Sequence, residues 1–323
     1  MQVKILSKEQ VASLGVSMRE IGDALVEGWK IIANESVELP AKIGIHPRKD
    51  CYVHAMPCYA PTLDFALIKW AAGYPVNFDK KLPLINGIIV VNNPDTGLVE
   101  IIMDSAWVTA WRTGAAAGVC AEYMSEGAEI AAIVGTGVQG IASAIALCDR
   151  IPTIKEIRIY DIVQAQYDRF EKEMAPYKGN VKITHCATVQ ECVTGCDIVA
   201  TSIPTPEKPN PIIKKEWLKS DVLAIASDYD AAYFSDIMLD GTFVCDDRNQ
   251  YLQTQSWGTY FQAYPREKDL YADMAEICAG KKAPVKKGLR SAVLMGIAMH
   301  DIMTVRLIQE KLKTKNIGQN VEI

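Results

Sequence analysis

Apolar residues recur at helical spacing near the amino terminus. Ile21, Leu25, Trp29 and Ile32 share one face and Ser7 stands where a cap would, so residues 7–34 read as helix packed on a sheet. From Glu38 to Glu100 the period shortens to β-like runs at Lys42–Ile45, Tyr52–Met56, Ala66–Ala71, Ile85–Val91 and Val99–Met103. Asn93-Pro94-Asp95 and Thr96-Gly97 separate the last two runs, which predicts an antiparallel hairpin. Residues 104–124 become small and apolar around Trp111-Arg112-Thr113-Gly114-Ala115-Ala116-Ala117-Gly118, as suits a helix in close contact with its neighbours that bridges two domains.

Beyond this helix, strand and helix patterns alternate. Strands are expected at Ile130–Val134, Glu156–Tyr160, Val181–Thr184, Asp197–Ser202 and Val222–Ala226, with helices starting at Val138 and Val163 and near Val189. Such alternation builds a parallel sheet covered by helices on both faces. Pro284 marks a return to the first domain, and Ser291–Leu312 reads as a long helix with an apolar face.

Composition narrows the function classes. A chain of 323 residues suffices for about two domains. With 49% hydrophobic and 23% charged residues it is globular rather than disordered. A net charge of −5 without a long Lys/Arg block argues against a nucleic-acid partner, and Lys281-Lys282 and Lys286-Lys287 read as solvated loop charges. The nine cysteines are scattered, and Cys186, Cys192 and Cys196 lack the paired spacing of a metal site, so no metal is expected. The odd count fits reduced thiols in the cytoplasm. The most apolar stretch, Ala131 to Cys148, is broken by three glycines and Gln139. No run reaches the ~20 apolar residues of a membrane span, so a soluble protein is expected.

The chemistry is concentrated in Gly135-Thr136-Gly137-Val138-Gln139-Gly140, which follows the apolar strand Ile130–Val134 and opens the next helix. Gly135 permits the tight turn, Gly137 lets a pyrophosphate approach the backbone, and Gly140 lets helix and strand pack closely. The pyrophosphate then meets exposed N–H groups at the positive helix end. Asp161 closes the next strand about twenty residues on, where a carboxylate binds the ribose hydroxyls and repels a 2′-phosphate. NAD(H) is therefore the expected cofactor. Arg158 lies within that strand and is expected to point elsewhere.

With this motif placed, the chain resembles the ornithine cyclodeaminase/mu-crystallin family over nearly its full length. The carrying segments are Pro40-Ala41-Lys42, Met56-Pro57, Lys69, Asp104 to Arg112-Thr113, Gly135 to Gly140, Cys196 to Ser202, Asp246-Asp247-Arg248, and Gly296-Ile297-Ala298 before Asp301. The resemblance implies an α/β fold with a Rossmann NAD-binding domain at residues 119–289. It also implies a β-rich (α+β) substrate and dimerisation domain at residues 1–118 with 290–323, and a homodimer. It assigns the substrate carboxylate to Lys42, where the family usually has Arg, with Lys69 and Arg112. Desolvated cations suit a carboxylate, and Arg112 offers a bidentate fork. Asp228 matches an aspartate near the nicotinamide and, with Lys69, is the expected acid/base group. Thr201 and Ser202 complete the expected cofactor contacts.

Two departures bear on the substrate. Cyclodeaminases carry a glutamate two positions ahead of the methionine of Met56-Pro57, where it engages the substrate amine; here that position is His54. The usual Pro-Gly pair after the aspartate is replaced by Tyr229-Asp230-Ala231-Ala232-Tyr233. Both point away from ornithine. His54 reads either as an acid/base group near neutral pH or as a polar strand residue. The expected function is an NAD-dependent amino-acid dehydrogenase or imine reductase acting on a C–N bond. Cyclodeamination with catalytic NAD, and ligand binding without catalysis, are the alternatives.

Overall fold

A computed structural model describes residues 2–204 and 210–323. The strands are β1 Gln2–Leu6, β2 Ile43–Ile45, β3 Tyr52–Ala60, β4 Phe65–Gly73, β5 Ile85–Asn92, β6 Val99–Asp104, β7 Ile130–Val134, β8 Glu156–Tyr160, β9 Lys182–His185, β10 Ile198–Thr201, β11 Val222–Ala226, β12 Thr242–Cys245, β13 Ala272–Asp273, β14 Leu289–Val293 and β15 Gln319–Glu322. They form a seven-stranded sheet ordered β15-β1-β6-β5-β4-β3-β2 and an eight-stranded sheet ordered β13-β12-β14-β11-β10-β7-β8-β9. The chain divides into two compact units, Met1–Arg112 with Ile297–Ile323, and Thr113–Gly296.

In the first unit β2 to β6 form an antiparallel meander, which includes the expected hairpin of β5 and β6. Alternation along β4 explains its placement: Leu67, Lys69 and Ala71 are buried while Trp70, between them, is exposed. Helix Ala298–Leu312 packs on β3 and β4 and against helix Met18–Asn34. The two helices cross closely at Gly28, where a Cβ would lie 2.7 Å from Met303 Cγ.

Two helical expectations are corrected here. Residues 7–34 form two helices, Lys8–Ser13 and Met18–Asn34, each opened by its own capping box, Ser7 with Gln10 and Ser17 with Glu20. Gly15, at φ +73°, turns the chain between them. Nor is Ser291–Leu312 one helix. Leu289–Val293 is β14, the chain turns at Gly296 (φ +77°), and the helix begins at Ala298. A short apolar run carries no period that separates strand from helix; pairing with β11 on one side and β12 on the other decided it.

Every pair in the second unit's sheet is parallel. Residues of β10 and β11 are buried throughout, as expected of strands covered on both faces. The short β12 and β13 left no pattern in the sequence. Because β14 belongs to this sheet, the second unit runs to Gly296 rather than ending at residue 289, and the first division falls at Arg112/Thr113, inside helix Ala106–Met124. That helix lies against helix Val138–Arg150 through glycine: a Cβ at Gly114 would sit 2.4 Å from the Ala142 carbonyl oxygen, and one at Gly118 2.8 Å from Ala146 Cβ. Gly114→Val should therefore destabilise the protein by about 1–3 kcal/mol through overpacking, read as a lower urea midpoint at unchanged m-value.

Candidate active site

Strand pairing places Lys69 and His54 on one face of the antiparallel sheet. Lys69 opposes Met56 and Ala71 opposes His54, while Gly44 opposes His54 from the other side. Lys42 precedes β2 and is buried, as are Lys69 and Arg112. A lysine at the centre of a strand and out of water needs a counter-charge, and Asp301 supplies it. Its carboxylate lies 2.8–2.9 Å from Lys69 Nζ and 3.4 Å from Arg112 Nε. The first turn of helix Ala298–Leu312 holds Asp301, where the helix dipole favours a negative group.

The electrostatics follow from crowding. Burial, then the charge of Arg112, pulls Lys69 down to about 8 despite Asp301, so it is cationic at neutrality and loses its proton just above it. Half-buried His54 is stacked on Tyr52 at 4.2 Å, and Gly44 leaves room for its ring, since a Cβ there would lie 2.3 Å away. Burial, then Lys42, His46 and Lys69, push His54 down to about 3. It is a neutral imidazole at neutral pH and does not cycle a proton there. His300, next to Asp301, is fully buried against Trp29 with ring centroids 4.6 Å apart, and burial with Arg112 and Lys69 keeps it neutral too.

In the second unit the glycine loop follows β7, and β10 lies on the opposite side of β7 from β8, the point at which the strand order reverses. Open parallel sheets bind ligands at the carboxyl ends of the strands beside such a point. Gly135 takes φ +91°, and a Cβ on it would strike the Ser202 carbonyl oxygen at 2.6 Å. A Cβ on Gly140 would meet the Gly135 carbonyl oxygen at 2.0 Å, whereas Gly137 has nothing within 4 Å. Space lies open at the middle glycine, and no side chain caps helix Val138–Arg150 at Gly137. Its first N–H groups fit a pyrophosphate.

Asp161 stands beside this loop. One carboxylate oxygen accepts the Thr136 amide at 2.7 Å and its hydroxyl at 3.0 Å, and the other accepts the Val163 amide at 2.9 Å. A carboxylate has about four acceptor sites, so capacity remains for a ribose hydroxyl. Arg158 turns away, to the Thr194 carbonyl at 2.8 Å. Asp228 follows β11, is buried, and accepts the Thr201 hydroxyl at 3.0 Å and the Ile203 amide at 2.9 Å. Burial raises its carboxyl to about 7 against the opposing pull of those hydrogen bonds. Thr201 is thus turned to Asp228, and Ser202 abuts the glycine loop through its backbone.

Asp301 and the Ile203 amide were missed in the sequence as site groups. An acidic residue followed by apolar Ile302 and Met303 in a helix with a buried face was the available signal for Asp301; a backbone amide leaves none. Asp246, one of the sequence landmarks, accepts the Gly296 amide and fixes the turn that precedes helix Ala298–Leu312.

A glycine loop with open space at Gly137, set at the carboxyl ends of an all-parallel sheet beside its point of reversal, defines a Rossmann-type dinucleotide-binding fold. The chain belongs to the ornithine cyclodeaminase/mu-crystallin family, whose model matches residues 1–316. It is 27% identical to an alanine dehydrogenase of Archaeoglobus fulgidus over 333 aligned positions, 100% of this chain and 99% of that one. Among solved structures it is similar to the Thermococcus litoralis Delta(1)-pyrroline-2-carboxylate reductase in complex with NADH and L-proline (25% identity, TM-score 0.88, 99% and 100% coverage). It also shares its fold with an archaeal alanine dehydrogenase dimer with bound NAD (24% identity, TM-score 0.85, 100% of each chain).

If Asp161 selects the ribose, NADH should bind more tightly than NADPH. Asp161→Ser should weaken NADH and narrow the preference, as read by fluorescence titration. Equal or tighter NADPH binding by the unaltered protein removes the assignment.

Proposed function

We propose that the protein is an NAD-dependent oxidoreductase acting on the C–N bond of a small amino acid or its imine, of the amino-acid dehydrogenase or imine reductase type. Asp228 carries this reading: a carboxyl buried at the carboxyl end of β11 and poised at about 7 can take a proton from an amine nitrogen or return one to it near neutral pH. NAD(H), held by residues 135–140 and Asp161, supplies the two-electron redox chemistry. Lys42, Lys69 and Arg112 take the substrate carboxylate, with Asp301 keeping Lys69 and Arg112 in place. Lys69, at about 8, is a second group able to hold or release a proton.

Cyclodeamination of a diamino acid is less well supported. His54 is a neutral imidazole whose charged surroundings are Lys42, His46 and Lys69, a poor setting for a second ammonium. The nine free cysteines suit a reducing, cytoplasmic setting.

A homodimer is part of the proposal. Ile43, Ala55, Trp70 and Ile88 form one row straight across β2, β3, β4 and β5, on the face opposite Lys69. Ile43, Trp70 and Ile88 are exposed at 68%, 43% and 42%, and Ile45 beside them at 57%. A contiguous apolar sheet face of this kind asks for cover, which a second copy would supply.

Two outcomes test these assignments. NADH formation from a panel of amino acids with NAD+, and its consumption with oxo acids plus ammonia or with cyclic imines, should identify a substrate. Asp228→Asn should then lower kcat by about 10²–10⁴-fold with little change in KM, as expected for loss of an acid/base group. Wild-type turnover by that variant, with NADH affinity intact, overturns the role. Light scattering at micromolar concentration should give twice the chain mass, and Trp70→Lys with Ile88→Lys should give monomers. A monomeric, fully active wild type refutes the dimer.

A further inference from the structure

Thr201 closes β10 and pairs with Ala226, the last residue of β11, so the sheet register brings it beside Asp228 two residues further on. Both side chains are out of water, at 0% and 3% exposure. The Thr201 hydroxyl has two acceptors at hand, Asp228 Oδ1 at 3.0 Å and the Ile225 carbonyl oxygen at 3.5 Å. It carries one proton and can serve only one of them at a time. Against it lies the buried phenol of Tyr233, which donates to the Val199 carbonyl at 2.7 Å. Asp228 is fixed from its other side by backbone. The Ile203 amide holds Oδ2 at 2.9 Å, and Tyr229 takes a left-handed φ of +59° stacked on Phe261, itself at +60°.

This geometry matters for a group that must exist both charged and neutral. A buried carboxylate needs donors, whereas the protonated acid brings a donor of its own and needs an acceptor. A backbone amide serves only the first state. A rotatable hydroxyl serves both.

We propose that Thr201 is the positioning residue of Asp228: its hydroxyl donates to the carboxylate, and turns to the Ile225 carbonyl while accepting the proton of the acid. The inference rests on the acid/base role proposed above for Asp228. It reassigns Thr201 from the cofactor, where the sequence had put it, to the proton-transfer group. The other groups facing Asp228 do not switch in the same way. Tyr233 and Tyr264 are held protonated by burial, and Asp230, itself raised by burial and accepting the Phe261 amide at 2.8 Å, pushes Asp228 up.

The test is kcat for amino-acid oxidation between pH 5.5 and 10, with L-alanine or L-proline, whichever is turned over. Thr201→Val, Thr201→Ser and the wild type are compared, with NADH affinity measured on each. Oxidation requires the carboxylate, so activity should rise through a limb near pH 7 in the wild type. Thr201→Val removes a donor from the charged form, and the limb should move up by about one pH unit, costing roughly fivefold at pH 7 and little at pH 9.5. Thr201→Ser should restore the wild-type limb, and NADH affinity should be alike in all three. Thr201→Ala replaces the valine variant if that one is unstable. A limb left in place with kcat reduced evenly at every pH assigns Thr201 a packing role only and overturns the proposal. Weaker NADH binding by the valine variant returns the residue to the cofactor and also overturns it. A wild type with no limb near pH 7, together with an active Asp228→Asn, refutes the acid/base reading itself, an outcome distinct from both.

Discussion

A lysine taken out of water at the middle of a strand must meet a carboxylate, and much of the first unit is arranged around that one requirement. Lys69 is 1% exposed and Asp301 fully buried, with 2.8 Å between their charged atoms. They come from β4 and from the helix near the end of the chain, so the ion pair ties the carboxyl-terminal segment to the meander. Removing either partner would strand a buried charge, which is far more destabilising than the pair is stabilising. The same carboxylate steadies Arg112, and burial, reinforced by neighbouring cations, keeps His54 and His300 neutral.

The second unit applies the same physics with the opposite sign. Burial alone would drive Asp228 far up, and the Thr201 hydroxyl and Ile203 amide oppose that rise, leaving it near neutrality. Burial, the larger effect, set against hydrogen bonds that favour the charged form, leaves a group whose proton affinity lies near physiological pH. The glycine loop needs no such balance. Gly135 and Gly140 are required by contacts that a Cβ would break, whereas space lies open at Gly137.

The outer face of the antiparallel sheet is rich in exposed hydrocarbon. Ile43, Ile45, Trp70 and Ile88 lie on the solvent side of strands whose other side carries Lys69 and His54. In these strands the usual alternation is inverted in part, with charge inside and hydrocarbon outside. The inner charges are paired through Asp301, and the outer hydrocarbon is left exposed.

Local signals in the sequence determined a good deal. The alternating segments 130–226 specify a parallel sheet because strand-like runs, continuously apolar at Ile130–Val134 and Val222–Ala226, alternate with helical segments. Gly135 to Gly140 and Asp161 are legible because turn geometry and chain spacing are local. Lys69 is conspicuous because charge is rare inside an apolar run. What distant parts of the chain decide together was not legible. Ser291–Val293 looks helical until β11 and β12 claim it as a strand, and residues 7–34 look continuous until Gly15 and the second serine cap divide them. The partnership of Lys69 with Asp301, and of Asp228 with Thr201 and Ile203, spans 232, 27 and 25 residues respectively. Periodicity records how a side chain relates to its own element. Which charge lies opposite it, and therefore how tightly it holds a proton, is decided only when the elements pack.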